Sequence, residues 1–191
     1  MLKGWLHYWG RPLPVDVSPA EGKPGAGDQT KRLVTVALLG ALSALLQSAG
    51  GLLPGPGFLI SPLATAPVVL ASAVSIRSGL GSFLTALVLL VIVQPSELIV
   101  FPFTTGLLGI ALGYGIHRFG NRAKVVTFAA CALAIGIVLL VYGLRFPILG
   151  PSVATDFRIS AVVAIVLFSW VYSAIWLEAS LRLMSKIKKS I

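Results

Sequence analysis

The chain has 191 residues, 57% of them hydrophobic and only 11% charged, with a net charge of +9. Soluble domains hold about 45–50% apolar and about 25% charged residues, so a mean hydropathy of +0.95 leaves too little polar surface for a water-soluble fold. The basic residues fall in short clusters between apolar runs rather than along one stripe interleaved with aromatics, which argues against nucleic acid and for membrane topology and anionic lipid headgroups.

Residues 1–30 read as a flexible, Pro/Gly-rich cytoplasmic extension, and residues 31–191 as a six-helix transmembrane domain. Within the extension, GWLHYWG places Trp5, Tyr8 and Trp9 where the headgroup level suits them. Pro12, Pro14, Pro19 and Pro24 interrupt any continuous apolar core, so no cleavable signal peptide is expected and the first crossing serves as the targeting signal. His7 has no partner ligand nearby, and no metal or other cofactor is expected.

The first crossing, Leu33 to Leu53, contains no charge and has roughly the twenty residues needed to span about 30 Å of hydrocarbon. Ala37, Gly40, Ala41 and Ala44 form small-xxx-small pairs of the kind that admit a second helix backbone, and are candidate partner-docking residues. Lys31 and Arg32 precede the run and hold that end inside. A Gly/Pro-rich turn leads to the second crossing, Leu59 to Ile76, expected to start irregularly at Pro62 and to bend near Pro67. Arg77 returns the chain to the inside. The third crossing covers Leu80 to Val93, and Pro95 and Pro102 flank Glu97 on the outer side.

The fourth crossing, Leu98 to Ile116, carries Gly106, Gly109, Gly113 and Gly115, a spacing that marks a tightly packed helix face. HRFGNRAK then forms an inner loop. The fifth crossing, Val125 to Leu144, holds the single cysteine, Cys131, expected to be a small buried residue. A long outer loop bears Arg145, Asp156 and Arg158. The last crossing, Ile159 to Leu181, carries Trp170, Tyr172 and Trp176 and ends at Arg182, Lys186, Lys188 and Lys189; Glu178 is expected to pair with Arg182 at i+4. Six crossings with both ends cytoplasmic put thirteen of the fifteen basic residues inside, leaving Arg145 and Arg158 outside. The expected fold is therefore all-α: a polytopic bundle of six transmembrane helices, N-in and C-in, in a bacterial inner or plasma membrane.

Enzymatic chemistry is not expected. There is no Gly-x-Ser-x-Gly elbow, no His-Glu-x-x-His helix, no phosphate-binding loop and no mid-membrane acid to relay protons. What gathers on the outer side suits a small-molecule pocket: Gln47, Phe58, Glu97, Phe101, Thr104, Arg145, Asp156, Arg158 and Trp170 are the candidate substrate-binding residues. Two arginines against two acids would suit a zwitterion or a mildly anionic, partly aromatic molecule.

The pattern from Lys31 to Ile191 resembles the S components, the substrate-binding subunits of energy-coupling factor (ECF) vitamin transporters. The likeness rests on length, on six crossings with both ends inside, and on an A-x-x-x-A motif in the first helix, here Ala37 to Ala41. It extends to the first outer loop, LLPGPGFLISPLATAPVVLAS, and to the basic-Gly turn IRSGLGS. The resemblance implies a vitamin-like small-molecule substrate caught from outside beneath the first, third and fifth loops. It further implies docking of the small-residue face on a transmembrane T subunit driven by two ATPases, and release when the S component topples. The N-terminal extension lies outside the usual pattern. The alternative is a non-transporting six-helix scaffold of a cell-envelope, cell-shape or sporulation complex, with the same small-residue faces and no pocket.

Overall fold

The computed structural model describes residues 9–10, 12–13, 26–53, 55–146 and 158–189. Its first long helix, α1 (Ala26–Leu52), begins inside the segment read as an extension and takes in Asp28, Lys31 and Arg32. Charges end a membrane run but do not end a helix: Gln, Lys and Arg are good helix formers, and Asp28 in the first turn suits the positive end of the dipole. A tight turn follows, in which Gly55 adopts φ +90° and a Cβ on Gly57 would lie 1.9 Å from the Ala49 carbonyl oxygen.

The second span, α2 (Gly57–Val74), is built in three pieces: a helical turn at Gly57–Ile60, a 3₁₀ turn at Ser61–Ala64 containing Pro62, and a regular helix at Thr65–Val74. The irregular start falls at Pro62 as expected. Pro67, however, sits in the first turn of the regular helix, where a missing N–H costs little and no bend is required. Ser75 then caps α3 (Ile76–Val93) by accepting from the Ser78 backbone N–H at 3.1 Å, which places Arg77 inside the helix.

The fourth span, α4 (Glu97–Arg118), is broken at Phe101–Phe103 by a second proline-containing 3₁₀ turn and resumes at Thr105. Asn121 caps α5 (Arg122–Gly143) by accepting from Ala123 N at 2.8 Å, and the helix ends in a π-helical turn at Leu139–Gly143. The sixth span is α6 (Ile159–Lys189). Six helices are thus long and apolar enough to cross a membrane, and no strand occurs among the described residues.

Helices α2 and α4 lie at the centre, between an α1/α3 pair and an α5/α6 pair. Ala44, Val68, Ala86, Leu90 and Phe101 form the core on the first side, and Leu108, Leu112, Val126, Leu133 and Leu177 that on the second. Leu38, Leu42 and Leu45 on α1, and Val163, Leu167 and Val171 on α6, point outward as a lipid-facing belt. Cys131 is exposed on the outside of α5 rather than buried; a weakly polar thiol is tolerated there because lipid, not water, is the solvent.

One point of close backbone packing is Ser72. A Cβ on Gly113 of α4 would come within 2.0 Å of Ser72 Cβ, and one on Gly79 of α3 within 2.0 Å of Ser72 Oγ. Three helices therefore converge on one serine, and His117 Nε2 donates to the Ser72 carbonyl at 2.9 Å. At the same end Arg32 donates to Ser78 Oγ at 2.7 Å and to Ser75 Oγ, fastening α1 to the α2–α3 turn. Glu178 pairs across the bundle with Arg122 (Nε to Oε1, 3.2 Å) instead of along its own helix with Arg182. Arg122 is buried at the start of α5 and faces α6, whereas Arg182 points outward.

The described part of the N-terminal segment seats here too. Leu13 N donates to Gly120 O at 3.2 Å, Asn121 Nδ2 to Gly10 O at 3.4 Å and Arg122 Nη1 to Pro12 O at 3.4 Å. The Trp9 ring lies 6.0 Å from that of Trp170.

Candidate functional site

At the opposite end from Arg32, Arg122 and Glu178 the helices separate around a cavity of about 510 Å³, within the size range of small-molecule sites. The two 3₁₀ turns create it. Phe58, Ser61 and Pro62 line it from the irregular part of α2, and Glu97, Val100 and Thr104 from the irregular part of α4. Non-helical backbone at membrane depth is tolerated where it borders a cavity inside the protein. Leu133, Ile137 and Phe146 supply the α5 side, and Phe168 and Tyr172, stacked at 5.2 Å, the α6 side.

One side-chain relay organises the polar part. Thr105 Oγ1 donates to Gln47 Oε1 at 2.6 Å, and Gln47 Nε2 donates to Glu97 Oε2 at 2.7 Å. Gln47 is only 1% exposed, so both ends of its amide need partners, and both are supplied. The relay joins α1 to both parts of α4 and holds the Glu97 carboxylate at the cavity wall. Thr104 is occupied otherwise, donating to the Val100 carbonyl at 2.8 Å. Among the described residues no basic side chain lines the cavity and none pairs with Glu97.

Of the residues expected to bind substrate, Gln47, Phe58, Glu97 and Thr104 line this cavity together. Phe101 does not: it is fully buried, stacked on Phe83 at 5.4 Å, and supports the α4 break from behind. Arg145 adopts φ +52° at the end of α5 with its side chain exposed, and Arg158 is exposed where its carbonyl starts α6; neither is a lining residue. Asp156 lies outside the described residues. Trp170 faces Trp9 rather than the cavity, because two residues along a helix turn the side chain through about 200°, giving Tyr172 the cavity side instead.

Thr105, Phe146, Phe168 and Tyr172 are among the lining residues that stood outside the expected set. Phe168 and Tyr172 are spaced i, i+4 on the N-terminal half of α6, a pairing that could have marked them. The four small residues of α1 divide. Gly40 and Ala44 are buried within the bundle, and a Cβ on Gly40 would meet Thr85 Cβ at 2.6 Å and the Ser82 carbonyl at 2.7 Å. Ala37 is exposed and Ala41 half-exposed, so only these two remain on the outer surface.

Compared with known proteins, the chain matches no family profile, no curated protein and no solved structure.

Proposed function

We propose that this chain is the substrate-capturing membrane subunit of an ECF-type importer, lying in a cell membrane with both ends cytoplasmic. It takes a vitamin-like small molecule from outside into the cavity, and a T subunit with two ATPases drives delivery. The observation that carries this reading is the position of the roughly 510 Å³ cavity at the cation-poor end of the bundle, opposite the close-packed, cation-rich end. A site closed towards the cytoplasm needs an external motor to empty it, and no phosphate-binding loop occurs in the chain itself. A scaffold with no guest would have no use for the hollow or for the buried Gln47 relay, which favours capture over assembly alone.

Ala37 and Ala41 offer the surface for the motor. They sit on the inner half of α1, Ala37 roughly 15 Å along the helix from Gln47 at 1.5 Å per residue, so a partner there would not obstruct the cavity. Two measurements on the full chain test the proposal. Reporter fusions at each end should both report cytoplasm, and mass spectrometry of the protein purified from its native membrane should find a bound small organic molecule. An extracellular end, or a cavity that yields only phospholipid, overturns it.

A further inference from the structure

We infer that the cavity takes a cationic ligand with a flat apolar body, its positively charged nitrogen at Glu97 and its ring system between Phe58, Phe146, Phe168 and Tyr172. The inference rests on the proposed capture role of this cavity and specifies its chemistry. Among the described residues the Glu97 carboxylate is the only charged group that lines the cavity, and no cationic side chain pairs with it. Glu97 is half-buried, and the hydrogen bond it accepts comes from the neutral Gln47 amide, so its charge is left for a positive ligand to balance.

The direction of the hydrogen bonds leads to the same charge. Thr105 donates to Gln47 and Gln47 donates to Glu97, so the relay delivers its protons to Oε2 and leaves Oε1 as an open acceptor. Thr104 spends its hydroxyl proton on the Val100 carbonyl. Thr104 and Thr105 have thus committed their hydroxyl protons inside the protein, while Glu97 Oε1, on the strongest acceptor of the wall, stays open. Stacked Phe168 and Tyr172 present ring surface to the same space, and the faces of such rings attract cations and repel anions. The arginines that would have favoured an anion, Arg145 and Arg158, do not line the cavity.

The test uses the full chain in phosphatidylcholine nanodiscs and three probes sharing one ring: tryptamine (cation), tryptophol (neutral) and indole-3-acetate (anion), titrated by calorimetry at pH 7. Tryptamine is expected to bind roughly thirty-fold more tightly than tryptophol, the scale of a hydrogen bond to a charged group, with indole-3-acetate weakest. Glu97→Gln should bring tryptamine down to the tryptophol level while changing tryptophol by less than about two-fold. Phe168→Ala should weaken tryptamine and tryptophol alike. The wild-type ranking stands by itself should either variant fail to fold. Equal binding of cation and neutral probe, preference for the anion, or no binding of any probe overturns the cationic assignment. An anionic small molecule co-purifying with the protein overturns the assignment and leaves the capture reading intact; phospholipid alone removes both.

Discussion

The two ends of the bundle are built from the same central helices and come out opposite in character. Around Ser72, α2 and α4 are regular, and glycines let their backbones approach until a single methyl group would not fit. Around Gln47 the same two helices each break into a 3₁₀ turn, at Pro62 and Pro102, and the space between them opens into the cavity. In lipid, where apolar surface alone gives little drive for helix association, small residues permit contact and prolines prevent it. The position of Gly and Pro along α2 and α4 therefore decides which end is solid and which hollow.

Substitutions at the two ends should separate accordingly. The largest effect is expected from Gly113→Val, which pushes a branched side chain into Ser72 where three helices meet; about 3 kcal/mol of stability should be lost, read by denaturant titration in detergent. Arg122→Ala comes next. It leaves Glu178 partly buried without its partner, at a cost of about 2 kcal/mol, and a double-mutant cycle with Glu178→Ala should recover part of that loss. At the hollow end Gln47→Leu should cost less, about 1.5 kcal/mol, since it removes two hydrogen bonds but the neighbours can turn toward the cavity. Its binding defect should exceed its stability defect, and equal defects would show that the relay is structural only. Smallest is Ala37→Trp: exposed to lipid, it should change stability by no more than about 0.5 kcal/mol and leave ligand binding unchanged, while abolishing uptake by the importer proposed above. If Ala37→Trp instead unfolds the chain, that face is not free for a partner.

The helices were legible because the membrane imposes a length and a charge rule that sequence displays directly; all six spans overlap their expected ranges. Their ends were less so. Hydropathy sees where charge begins, whereas Asp28 and Lys31 continue α1 as a helix beyond the apolar run. The site was legible at Phe58, Glu97 and Thr104, which lie beside the proline breaks and border irregular backbone, and at Gln47, a polar residue near the end of an apolar helix. It was illegible where rotation about a helix axis decides: Trp170 and Tyr172 are near neighbours in sequence but face different sides, and Gly40 and Ala37 likewise divide between bundle and surface. Glu178 went to Arg122 rather than Arg182 because tertiary contact outcompeted a local pair.

The seating of the N-terminal segment constrains the order of assembly. Its hydrogen bonds to Asn121 and Arg122 close loops of 111 and 110 residues, and Trp9 meets a ring on the last span. Although this stretch precedes every crossing, its berth does not exist until the fifth and sixth rods have entered the lipid and come together. It consequently locks only after those two spans have met, and its protection from protease is expected to report their coming together.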